Sequence, residues 1–221
     1  MIGRFRTCIL ALCAMLLLGA CATDTRYDSV DQINAARYVH NGPSSITLYT
    51  MVNTSNGSGA HTSMMVNASQ RVIFDPAGSV SFSGLPENAD VLYGITPKYE
   101  RAYESAHARK TFYVAIQKID VSPEVAEQAL NLVLSNGAVV QTFCAKATSS
   151  ILRQLPGFES IGSTFYPNNL RDQFAKLPGV TERILVEQDE DDKTLAVQRL
   201  EAELAQQIET RVEGRSTTAD R

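Results

Sequence analysis

Cys144, His61 and Asp75 are the residues of this 221-residue chain whose types could together do chemistry. A thiolate attacks carbonyl carbon, an imidazole takes and returns the proton, and a carboxylate orients that imidazole and favours its charged form. Cys144 follows a short extended piece, Ala138 to Thr142, and opens a helix. A helix N-terminus carries a partial positive charge and unpaired N–H groups, which favour thiolate over thiol and can hold an oxyanion. The competing reading is a small buried hydrophobe, since free cysteine is among the most buried residue types. The pattern alone weighs the two evenly.

His61 begins a strand after the loop Asn53-Thr-Ser-Asn-Gly-Ser-Gly59, a position close to the surface where it could serve Cys144 as base or stand as an edge histidine without a partner. Asp75 follows from register. If the turn Ala68-Ser69-Gln70 sets Asn67 opposite Arg71, Ser63 lies opposite Asp75 and His61 is its diagonal neighbour, all on one face. A one-residue slip would turn Asp75 away, and Asp75-Pro76-Ala77-Gly78 also reads as a strand-ending turn. The three histidines, His40, His61 and His107, lie far apart in different contexts, and no metal-ligand cluster or phosphate loop is legible.

The elements that must position these groups are an antiparallel β-meander packed with helices, an α+β domain. The alternating run Ile46 to Val52, then His61 to Asn67, Arg71 to Asp75 and Thr111 to Lys118 read as strands. Tyr93 to Arg109 is ambiguous. Ser122 as N-cap, Pro123 in the first turn and Gly137 beyond the end bracket a helix. Further helices read over Cys144 to Leu155 and Asn168 to Leu177, each stopped by Pro-Gly. After an acidic run, Glu187 to Asp192, the recurrence of Leu200, Leu204, Ile208 and Val212 predicts a C-terminal amphipathic helix packed on the domain edge.

The beginning of the chain reads as an export signal: Arg4 and Arg6, an apolar run from Cys8 to Leu18, then Gly19 and Ala20. Leu18-Gly19-Ala20-Cys21 resembles the lipobox of bacterial lipoproteins. That resemblance implies cleavage before Cys21 and lipidation of its sulfur, hence a membrane anchor. Ala22, where some relatives carry aspartate, implies the periplasmic face of the outer membrane if the host has one. The expected organisation is residues 1–20 as signal, 21–44 as lipidated tether with a short helical piece around Val30 to Tyr38, 45–180 as the domain and 181–221 as acidic linker and helix. Only Cys144 then remains as a free thiol. Without Arg4 and Arg6 the chain holds 18 basic against 24 acidic side chains, which argues against nucleic acid as a partner. Absence of tryptophan weakens a sugar-stacking role.

The order of the three candidates resembles the circularly permuted branch of the NlpC/P60 papain-like superfamily, which includes proteins similar to lecithin retinol acyltransferase. Ala60-His-Thr-Ser-Met-Met-Val-Asn67 resembles its histidine strand, Arg71-Val-Ile-Phe-Asp-Pro-Ala-Gly78 the next strand, and Phe143-Cys144-Ala145 its nucleophile. The resemblance spans roughly Ile46 to Leu177. It implies Cys144 as nucleophile, His61 as base and Asp75 as orienting residue, in a cysteine amidase, peptidase or acyltransferase without a cofactor. Peptidoglycan peptides or lipid-linked acyl groups would be its substrates. Phe143 stands where many relatives have Asn, and Asp75 where His is common. The alternative expectation is a non-catalytic envelope lipoprotein that binds a ligand or partner, with Cys144 buried.

Overall fold

The computed structural model describes residues 25–219; the readings of the signal segment and of Cys21 fall outside them. The fold is α+β. Eight strands form one antiparallel sheet in the order β1-β5-β6-β4-β3-β2-β7-β8. They are β1 (Arg26–Tyr27), β2 (Ser45–Asn53), β3 (Gly59–Asn67), β4 (Arg71–Phe74), β5 (Glu87–Ala89), β6 (Val91–Tyr93), β7 (Phe112–Asp120) and β8 (Thr181–Leu185). The helices are α1 (Val30–Ala35), α2 (Pro97–His107), α3 (Pro123–Ser135), α4 (Cys144–Leu152), α5 (Pro167–Phe174) and α6 (Thr194–Ala219).

Strand alternation divides the core into two layers. Ile46, Leu48, Met64, Val66, Val72 and Phe74 pack under α3, α4 and α5, against Leu130, Val133, Ile151, Leu152, Leu170 and Phe174. Tyr49, Met51, Met65, Ile73, Val114 and Ile116 face α2 and the start of α6, against Ala102, Tyr103, Ala106, Ala196 and Leu200. With both faces covered, β2 is buried from Ser45 through Val52. The local signals explain the helix ends. Ser122 caps α3 by accepting from the Val125 N–H, and Gly137 leaves it at φ 72°. Thr96 and Pro97 start α2 in the same way.

Four sequence expectations change. Residues 25–44 are not a free tether: β1 pairs β5, α1 carries a Ser29–Gln32 capping box, and the Asn67 side chain donates to the Pro43 carbonyl at 2.7 Å. Thr181 to Leu185, assigned to the linker, is an edge strand on β7. Its charged, exposed side chains mask it in sequence, as charges do on edges. Ala138 to Thr142 pairs with no strand and ends in a turn at Gln141 and Thr142, with Thr142 at φ 73°. The helix opened by Cys144 ends at Leu152, and Pro167 rather than Asn168 starts α5. Among the described residues no helix is long and apolar enough to cross a membrane.

Candidate active site

The sheet has a gap, and the candidate residues gather there. The turn after β3 does pair Asn67 with Arg71, and the ladder continues through Met64 opposite Phe74. β4 then stops, while β3 runs on to Gly59 along β2. The outer edge of β3 is therefore unpaired from Ser63 back, and the N-terminus of α4 occupies the space. The Thr62 backbone N–H, which has no strand to bond on that side, donates to Cys144 Sγ. The start of β3 must also lie flush on α5. A Cβ on Gly59 would come within 2.7 Å of the Asn168 backbone nitrogen.

His61 joins the other two residues. Its Nε2 donates to Asp75 Oδ1 at 2.6 Å. The Cys144 side chain interacts with the same ring. Burial opposes charge on the imidazole, but the Asp75 carboxylate and the thiolate outweigh it and raise the His61 pKa to about 9. Burial likewise pushes the Cys144 thiol up. The His61 contact and charge, with the Thr62 and Ala145 N–H groups, more than reverse this and hold it below the usual thiol value. Asp75 feels the burial penalty too, yet His61 and then His107 and Tyr103 draw it below the ordinary carboxylate value. The site thus favours a protonated His61 and makes the Cys144 thiolate easier to form than in a free cysteine, with a carboxylate behind the ring. Cys144 is 6% exposed, so the expectations of burial and of contact with histidine both hold for one residue.

Two loops pin the site from either side. The Asp75 N–H donates to the Asp90 carbonyl, and Asp90 Oδ2 accepts from the Val139 N–H at 2.7 Å. One residue thereby ties the Asp75 loop to the segment that leads into Cys144. Ala77 and Thr142, on those two arms, sit at φ 56° and 73°, a strained conformation for residues with a Cβ. Gly78 lies directly under the carboxylate: a Cβ there would sit 2.0 Å from Asp75 Oδ2. Gly78→Ala should expel Asp75 from His61, drop the His61 pKa from about 9 to below the ordinary imidazole value, and cost about 1–3 kcal/mol by overpacking. An NMR titration of His61 with urea unfolding checks this; an unchanged His61 pKa would contradict it.

Sequence reasoning missed the residues behind the imidazole. His107, far from His61 in the chain, stacks on it with ring centroids 6.1 Å apart and planes 18° apart. Its Nδ1 donates to the Tyr103 carbonyl at 2.9 Å, and burial depresses its pKa to about 3, so it stays neutral. The Tyr103 hydroxyl donates to Ser63 Oγ at 2.7 Å, beside the Asp75 carboxylate. Helical spacing from Tyr103 to His107 put both on one face of a region whose sequence was ambiguous; nothing in it pointed to His61. On the other flank, Phe143 packs edge-on against Phe165 and both are half exposed. A hollow of about 880 Å³ along α3 touches none of the three candidates.

Set beside known proteins, the chain matches no family model, no curated protein and no solved structure.

Proposed function

We propose that this chain is a lipid-anchored envelope protein whose domain is a permuted NlpC/P60 papain-like fold, acting as a cysteine acyl hydrolase or acyltransferase. The observation that carries the reading is one imidazole bridging a buried carboxylate and the sole described thiol at a helix start. Location rests on the signal-like residues 1–20 and the Leu18-Gly19-Ala20-Cys21 block. In this reading α6 is an amphipathic helix whose Ala196 and Leu200 close the edge of the domain.

The chemistry follows from the arrangement. The Cys144 thiolate attacks the carbonyl carbon of an ester or amide, forming an S–C bond. Charge moves to the carbonyl oxygen, and the Cys144 backbone N–H at the α4 terminus helps to hold it. The tetrahedral species collapses by breaking the bond to the leaving alcohol or amine, which takes the proton from His61. Water, or another acceptor, then gives a proton to His61 and attacks the thioester, releasing Cys144. Peptidoglycan peptides and lipid-linked acyl groups are the substrate classes suited to the location.

The test is capture of the acyl-enzyme. Short p-nitrophenyl esters should leave an acyl mass on Cys144 in the folded protein at pH 7, absent in Cys144→Ser and reduced about 100-fold or more in rate in His61→Ala. A thiol that acylates only after denaturation would overturn the reading. It would instead favour a binding module with an inert buried cysteine, which the 6% exposure of Cys144 also suits.

A further inference from the structure

The acidic run that reads as linker is folded back onto the domain. Asp189 accepts from the Arg109 and Arg199 guanidiniums at 3.3 and 2.6 Å, and its carbonyl accepts from the Lys110 N–H. Glu190 pairs with Lys110, and Asp191 accepts from the Thr111 N–H at 3.1 Å. These contacts tie the run to the domain and place Lys193, which follows it, on the His61 side of the site. There a pocket of about 250 Å³ is lined by His61, His107, Lys193, Gly78 and Ser79. The Lys193 ammonium donates to Ser79 Oγ at 2.9 Å. His107 is 3% exposed, and with Nδ1 committed to its own helix its Nε2 has no partner.

We propose that this pocket is a substrate subsite for an oxyanion group, a carboxylate or a phosphate, held by Lys193 beside the His61 ring. The proposal rests on the acyl-transfer reading and narrows its substrates to acyl compounds that carry such a group. Two features favour an anion over a cation or an apolar moiety. Two donors, the Lys193 ammonium and the Ser79 hydroxyl, converge on the pocket. The imidazolium that forms one wall adds positive charge. Of the carboxylates that neighbour Lys193 in sequence, Asp189 and Glu190 pair with Arg109, Arg199 and Lys110, Asp191 accepts from Thr111 and Asp192 from Thr194. Asp75, the remaining nearby acid, is held by His61.

The test titrates the intact protein with sodium acetate and with inorganic phosphate at constant ionic strength, following the ring resonances of His61 and His107. Acetamide serves as the uncharged match to acetate. Expected is a saturable shift of both rings with acetate or phosphate and none with acetamide. The stronger of the two anions identifies the carboxylate or phosphate source. Lys193→Gln should weaken binding at least about tenfold, the usual cost of a lost charge-assisted contact, while Lys193→Arg should retain it. No saturable shift, or a shift unchanged in Lys193→Gln, overturns the subsite. Iodoacetamide labelling of Cys144 in the same samples separates the two claims. A reactive thiol without anion binding sinks the subsite alone, whereas a thiol inert in the folded protein sinks the acyl-transfer reading beneath it.

Discussion

His61→Ala should slow alkylation of Cys144 by iodoacetamide at pH 6 by about tenfold or more, the scale of one lost charge-assisted contact, because the thiolate fraction falls as the thiol pKa rises. In the intact site, burial of the sulfur is offset first by His61 and then by the Thr62 and Ala145 N–H groups. Removing the ring leaves only the two N–H groups against burial, so the thiol should titrate above the ordinary cysteine value. The pH profile separates this from a general loosening of the fold. The intact protein should already react fast below neutrality, with a second inflection near pH 9 as His61 loses its proton. The variant should show one inflection, shifted upward. Equal rates for both proteins at pH 6 would mean that the imidazole does not govern the thiol.

Asp75→Ala should be the most destabilising single change at the site, lowering unfolding free energy by about 3–5 kcal/mol at pH 6, the usual cost of removing one partner of a buried ion pair. The carboxylate is 5% exposed and bonded to His61, and its loss leaves the imidazole facing its burial with only Cys144 to favour its charge. For a domain of this size that corresponds to a fall in melting temperature of roughly 6–20 °C. The pH dependence has a definite sign. The folded His61 pKa, about 9, lies above its ordinary 6.5, so its stabilising contribution is full below pH 6.5 and fades as pH rises through 9. The Asp75 pKa lies below its ordinary 3.8, so its contribution is present above that value and is lost as pH falls beneath it. Stability from this pair is therefore largest between those limits. Asp75→Ala should remove the decline between pH 6.5 and 9, which denaturant unfolding at several pH values would register. A decline of undiminished size in the variant would show that another group causes it.

These effects centre on a meeting that chain-local signals described in halves. Register is local: a three-residue turn and two alternating runs suffice to place Asn67 opposite Arg71, and Asp75 then falls beside His61 without further information. The start of α4 was legible for the same reason, although Phe143 supplies no capping side chain and Thr142 turns the chain through a positive φ. Where local signals were weak, the reading failed. β5 and β6, three residues each, carry too little period to register, and β8 hides its pairing under edge charges.

Local pattern sufficed for the α+β class, the central meander, the Ser122 cap of α3, the lone described thiol at a helix start and the His61–Asp75 diagonal. All of these depend on side-chain periodicity and capping within a few residues. Only the tertiary structure decided that β4 stops short, so that α4 fills the vacant edge and brings Cys144 to the imidazole. It alone stacked His107 on His61 and swung Lys193 from an acidic stretch into the site. Those contacts arise from which sheet face each helix covers and from ion pairs between distant segments, and no pattern along the chain encodes them.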